Sequence, residues 1–183
     1  MFEYIRVALS IAWRLLINTP KVRKYARHPE KYPLEERFAA VKQVLKGIVD
    51  KWHTDFYLEG FEQFRNYQGK RLIVMNHLSF FDSLAFISKC EKPITFVAKK
   101  EAEKYFLVGT YIKAINGQFL DRENLMNQIR SLNEAIKLAK DPNGPDVVIF
   151  PEGKRNKIPG TRCLEFKAGT FKIAMKSTVA IFP

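Results

Sequence analysis

A chain of 183 residues, 46% of them hydrophobic, can bury one core and build one domain of ordinary size, which excludes a disordered chain. Its formal charge of +12 draws polyanions, with nucleic acid and an anionic membrane surface as the two obvious partners. The 2 cysteines, Cys90 and Cys163, lie far apart with no C-x-x-C spacing, which excludes a disulfide framework and a zinc cluster and favours a reducing compartment.

In "MFEYIRVALSIAWRLLINTPKVRKYARH", Glu3, Arg6, Ser10, Arg14, Asn18 and Lys21 recur every three or four residues. The spacing predicts a helix with one narrow polar stripe and a wide apolar face bearing Phe2, Ile5, Leu9, Trp13 and Leu16. Lys21, Arg23, Lys24 and Arg27 crowd its exit. Two readings fit: a helix packed on its own domain, or one lying in a bilayer surface with its cations on anionic lipid. A span is not expected, because no run of about 20 apolar residues exists and a charge such as Arg14 at mid-bilayer costs about 2.5 to 3.5 kcal/mol. No small-residue cleavage site follows, so no removable leader is expected.

After the break "HPEKYP", Leu34, Phe38, Val41, Leu45, Ile48 and Trp52 mark one face of a second helix over residues 34 to 52, with Glu35, Lys42, Lys46 and Asp50 opposite. The two helices form an N-terminal amphipathic appendage, residues 1–53.

From residue 54 the rhythm shortens to strand-length runs: "FYLEG", "RLIVM", "ITFVA", "GQFL", "VVIF" and "TVAIF". Helical patterns fall between them, the clearest at Leu125, Ile129, Leu132, Ile136 and Ala139. Alternation of this kind predicts an α/β fold, a largely parallel or mixed sheet flanked by helices, over residues 54–183. Ligands of such folds collect beyond the carboxyl ends of the strands.

Polar clusters follow three of those runs. In "NHLSFFDS", His77 and Asp82 cannot share a helix face, since five residues at 100° each leave them about 140° apart. With a helix starting near Ser79, however, His77 lies in the preceding turn and Asp82 in the first turn, within reach of an imidazole nitrogen. The same residues also read as a plain helix start, Ser79 capping and Asp82 assisting electrostatically, and both roles are compatible. In "DREN" the aspartate suits a helix cap, while Arg122 suits either a surface salt bridge or a phosphate held by two hydrogen bonds. In "PEGKRN", Gly153 permits a tight turn flanked by Glu152 and Arg155, either a ligand-facing turn or a solvated charge cluster.

Together these clusters resemble the 1-acylglycerol-3-phosphate acyltransferase family of glycerolipid synthesis. The family's N-H-x4-D block is matched by Asn76, His77 and Asp82, its second block by "GQFLDR", and its F-P-E-G-T-R-S block by "FPEGKRN". Lys154 and Asn156 stand where threonine and serine are usual, positions read as less tied to the chemistry. The last block, usually like V-P-I-I-P-V, is present only as "VAIFP", so the chain is expected to be C-terminally incomplete.

The resemblance implies a mechanism. His77, oriented by Asp82, takes the proton of a lysophospholipid hydroxyl as its oxygen attacks an acyl thioester carried by acyl carrier protein or coenzyme A. It implies substrate binding by Arg122, Glu152, Gly153 and Arg155, no covalent acyl-enzyme at Ser79, and no metal or other cofactor, His28 and His53 having no ligand partners at useful spacing. It also makes the first helix an anchor on an anionic membrane, with the protein peripheral or monotopic on the cytoplasmic face. The expected product is phosphatidic acid; another lysophospholipid acceptor, or a non-catalytic lipid-surface protein of the same fold, are the alternatives. Nucleic acid is not expected, for lack of a recognisable reading module.

Overall fold

The computed structural model describes residues 2–52, 56, 59–105, 107–121 and 123–183. Strands of a parallel sheet covered on both faces are apolar on both sides, and this explains the uninterrupted runs around residues 72 and 148. They form β1 (Arg71–Val74) and β4 (Asp146–Ile149), parallel, with Leu72 beside Val147 and Ile73 beside Val148. Alternate side chains then part to opposite faces. Ile73 and Val148 join one core, Leu72, Val147 and Ile149 the other.

β2 (Ile94–Lys99), β3 (Gln118–Leu120) and β5 (Ala180–Phe182) complete a wholly parallel sheet in the order β3-β2-β4-β1-β5. The run "FYLEG" gives no strand among the described residues: Glu59 and Gly60 form a turn, and Tyr57 and Leu58 lie outside them. Gly60, at φ +70°, instead precedes the short α3 (Phe61–Asn66).

One face of the sheet is covered by α1 (Phe2–Arg27), α2 (Leu34–Lys51), α4 (Phe81–Lys89) and α5 (Val108–Ala114), the other by α6 (Leu125–Lys140) and α7 (Ala168–Ser177). Val22 and Tyr25 of α1 and Phe38, Val41 and Val44 of α2 lie in the same core as Ile73, Phe96 and Val148. The N-terminal pair is thus a layer of the domain. The expected boundary between residues 53 and 54 lies outside the described residues.

Cations of α2 fasten this layer. Arg37 donates to the carbonyl of Ala114 (2.7 Å) and to Asn116 Oδ1 (2.8 Å), and Lys42 to the carbonyl of Cys90 (2.6 Å). Both reach the C-terminal ends of helices, where the backbone is partly negative. Burial pushes the pKa of Arg37 down, so these acceptors are what keep its charge tolerable.

The middle of the polar stripe of α1 is turned inward: Ser10, Arg14 and Asn18 are half-buried, while Arg6 and Lys21 are exposed. Arg14 donates to the carbonyl of Gln43 (3.2 Å), and its guanidinium fills the space where a Cβ on Gly47 would sit, 2.1 Å from Cζ. The outward surface of the middle of α1 is therefore apolar, with Leu9, Trp13 and Leu16 65%, 65% and 67% exposed. No described helix is long and apolar enough to cross a membrane.

Candidate active site

The carboxyl ends of the strands gather the polar clusters at one edge. After β1 the chain turns at Asn76 and His77 before entering α4. Asp82, in the first turn of α4, folds back: its Oδ2 accepts the N–H groups of Leu78 (2.9 Å) and Ser79 (2.8 Å) and lies 3.2 Å from His77 Nδ1. The helix-start and catalytic-pair readings therefore both hold in one carboxylate. Burial alone pushes the pKa of Asp82 up, but the hydrogen bonds from His77, Ser79 and Leu78 outweigh it and hold the group below the ordinary carboxylate value.

A carboxylate at Nδ1 assigns the proton to that nitrogen, which leaves the Nε2 lone pair free to accept another. The ring is held flat against Phe150, centroids 4.0 Å apart and planes 21° apart, and Phe150 in turn lies parallel to Phe96 at 6.3 Å. His77 and Asp82 side chains are 18% and 23% exposed, sheltered yet reachable.

His77 opens onto a cavity of about 750 Å³, inside the range of small-molecule sites, about 300–1,000 Å³. Its walls are mostly apolar, with Val41, Ile48, Leu84, Ile87, Phe96 and Tyr111 contributed by the layer of α2, α4, α5 and β2. At its polar end stand Lys99, Lys154, Arg155 and Lys157, and among the described residues no acidic side chain lines it. Among the described residues none of those four cations has an acidic partner. Such an arrangement is complementary to a molecule with an apolar body and an anionic end.

The loop after β4 is set by Gly153, which turns at φ +69° and donates its N–H to the carbonyl of Phe150 (3.0 Å). Gly153 and Arg155 line the cavity. Glu152 does not; it is 1% exposed and accepts the backbone N–H of His77 at 2.8 Å. Asn156 proves to be tied to the site as well, since its N–H donates to the carbonyl of His77 at 2.7 Å. The sequence reading of position 156 as less tied to the chemistry concerns its side chain, and this contact is made by the backbone.

In the second cluster the helix cap is Asn124, whose Oδ1 accepts the N–H of Asn127 (2.8 Å). Asp121 is engaged elsewhere, bound to Lys100 Nζ at 2.5 Å, and this hydrogen bond first of all holds its carboxyl below the ordinary range. Arg122 and His53 lie outside the described residues. Lys99, Lys154 and Lys157 went unremarked as site residues in the sequence, where "FVAKKE" and "GKRNK" show charges but not whether an acid answers them. No group of three His, Cys, Asp or Glu suited to a metal ion occurs among the described residues.

Fold and dyad place the chain among α/β proteins that work at the carboxyl edge of a parallel sheet. The acyltransferase family model matches residues 55–183, and the chain belongs to that family. It is 37% identical over 115 residues to a 1-acyl-sn-glycerol-3-phosphate acyltransferase of Helicobacter pylori, covering 63% of this chain and 47% of that protein. A namesake from Limnanthes douglasii is 30% identical over 114 residues, 62% of this chain and 40% of its own length. The chain thus spans about half or less of these curated relatives. The crystal structure of the 1-acyl-sn-glycerophosphate (LPA) acyltransferase PlsC from Thermotoga maritima superposes with a TM-score of 0.66 at 28% identity, over 99% of this chain and 74% of that one.

Proposed function

We propose that the protein transfers an acyl group from an acyl thioester to the free hydroxyl of 1-acylglycerol-3-phosphate, making phosphatidic acid. The observation that carries this is the 3.2 Å contact of His77 Nδ1 with Asp82, with the same histidine lining an apolar, cation-tipped cavity. The names of the relatives supply the substrate.

In this mechanism the acceptor hydroxyl gives its proton to His77 Nε2 while its oxygen attacks the thioester carbonyl. Asp82 stabilises the imidazolium that forms. The tetrahedral intermediate collapses by breaking the C–S bond, and the imidazolium returns the proton to the departing sulfur, leaving a free thiol and an ester. A thiolate leaves readily, so Ser79 is not needed as a nucleophile; its Oγ already accepts the N–H of Phe81 (3.1 Å).

The cavity takes an acyl chain along its apolar wall, and the cations beside Gly153 take the acceptor phosphate, with backbone N–H groups serving the oxyanion. Arg155 is the described arginine best suited to bidentate contact with a phosphate. The donor is a thioester of acyl carrier protein or coenzyme A. The exposed Leu9, Trp13 and Leu16, followed by Lys21, Arg23, Lys24 and Arg27, suit the surface of an anionic membrane, where each cation adds about 1 kcal/mol. On this reading the protein is a peripheral or monotopic membrane enzyme that faces the compartment supplying the thioester, the cytoplasm.

The test is phosphatidic acid formation on anionic vesicles from lysophosphatidic acid and either thioester. His77→Ala is expected to lower kcat by at least about 10²- to 10⁴-fold, the usual worth of a general base, without loss of fold. Wild-type protein that binds vesicles but makes no product, or a His77→Ala variant as active as wild type, sinks the proposal.

A further inference from the structure

Glu152 is the least explained group at the site. It is 1% exposed, its Oε1 accepts the His77 N–H at 2.8 Å, and its Oε2 has no hydrogen-bond partner among the described residues. Burying a carboxylate with one oxygen unanswered is costly, and a fold that keeps one there gains something by it. Asn156, 5% exposed, holds the other side of the same peptide, its N–H on the His77 carbonyl at 2.7 Å. Its own amide is spent internally, Nδ2 on the Thr161 carbonyl (2.6 Å) and Oδ1 on the Ile158 N–H (2.9 Å), which makes the turn that aims its backbone rigid. A further tie runs from Asn76 Nδ2 to the Arg162 carbonyl at 2.9 Å.

We infer that Glu152 and Asn156 are positioning residues for His77: they grip the N–H and the carbonyl of its backbone and so aim Nε2 into the cavity. Every other point of His77 is also taken, its Nδ1 by Asp82 and its ring face by Phe150, so Nε2 is the one polar atom of the residue left for chemistry. The grip also makes the cation-bearing turn Lys154–Arg155 and the base a single unit, because residues 152 and 156 flank that turn. Misplacement of a base by about 1 Å costs on the order of 10²-fold, which is what such a grip prevents. The inference deepens the acyl-transfer reading and moves Glu152 from binding substrate to holding the base.

The experiment uses Glu152→Ala, Glu152→Gln and Asn156→Ala in the full chain, read by steady-state kinetics and by ¹⁵N NMR of the imidazoles, with His77 assigned from the His77→Ala spectrum. Glu152→Ala is expected to lower kcat about 10- to 100-fold with KM for acceptor and donor within about threefold. Glu152→Gln keeps an acceptor for the His77 N–H and is expected to recover most of that loss. Asn156→Ala, which keeps its backbone N–H but loosens the turn, falls between. In the NMR spectra His77 should carry its proton on Nδ1 in wild type and in Glu152→Gln, and become a mixture of tautomers in Glu152→Ala.

A KM raised more than about tenfold with kcat unchanged would put Glu152 on the substrate and overturn the inference, as would an unaltered His77 tautomer and kcat in Glu152→Ala. If Glu152→Ala does not fold, Glu152→Gln decides: its kcat must stay near wild type, and a collapse to the alanine range expected above refutes the grip. If wild-type protein transfers no acyl group, the proposed function falls, while the NMR comparison still judges the positioning of His77.

Discussion

The two ends of strands β1 and β4 treat charge in opposite ways. At the amino end Arg71 and Asp146, 2% and 6% exposed, answer each other completely: the guanidinium lies 2.5 Å from Oδ2, the Arg71 N–H gives Oδ1 a bond of 3.0 Å, and the remaining guanidinium reaches the Phe64 carbonyl and its ring. At the carboxyl end Lys154, Arg155 and Lys157, which follow β4, line a cavity together with Lys99 of β2, with no acid in its walls and no partner for Glu152 Oε2 among the described residues. The same strands carry both. Where charge only has to be tolerated it is closed on itself; where a ligand is to complete the set it is left open.

The sharpest way to break that contrast is to open the closed end. Asp146→Asn leaves the Arg71 charge buried without its counter-ion, for which a loss of about 3–5 kcal/mol is expected in urea unfolding. Activity below the melting range should stay within about twofold, because no residue of the dyad touches Arg71 or Asp146. Replacing both, as Arg71→Met with Asp146→Leu, should recover most of the stability, since a pair of apolar side chains has no charge to bury. A double variant as unstable as Asp146→Asn would mean that the pair does more than neutralise itself.

How much of this was legible beforehand depends on the range of the interaction. The strands at 71–74 and 146–149 were readable because burial on both faces writes itself as an unbroken apolar run, and the reach of Asp82 to His77 because both lie within one turn of a helix start. In α1 the apolar width was plain, but periodicity allowed packing or exposure. The structure realises both, with Val22 and Tyr25 inward and Leu9, Trp13 and Leu16 outward. What stayed hidden depends on which strands are neighbours. Only the adjacency of β1 and β4 brings Glu152 and Asn156 to the backbone of His77, and only the absence of an acid across the cavity distinguishes Lys154 from the paired Lys100.

The open end can be probed the other way, by removing one of its cations. Lys154→Thr restores the side chain usual at that position in the family and takes one exposed charge from the cavity's polar end. KM for lysophosphatidic acid should rise about three- to fivefold with kcat little changed, as suits an exposed contact worth about 1 kcal/mol or less, and the difference should shrink as salt rises. Equal KM values at low salt would mean that the phosphate does not visit Lys154.

The smallest effect concerns Asp82, where an acid does have partners at the open end. Burial raises its pKa and the hydrogen bonds from His77, Ser79 and Leu78 lower it further, so the net value is depressed on folding. The sign follows: the folded protein binds this proton less tightly than the unfolded chain, so the stabilisation is complete above the ordinary carboxylate pKa and is lost as pH falls through the folded value. Asp82→Asn should therefore have a lower urea midpoint than wild type at neutral pH, and the part of the difference due to this carboxylate should be lost only below about pH 4. A difference that instead grew toward acid pH would show that Asp82 is held by burial more than by its donors, and the carboxylate that orients His77 would then be poorly suited to steady an imidazolium.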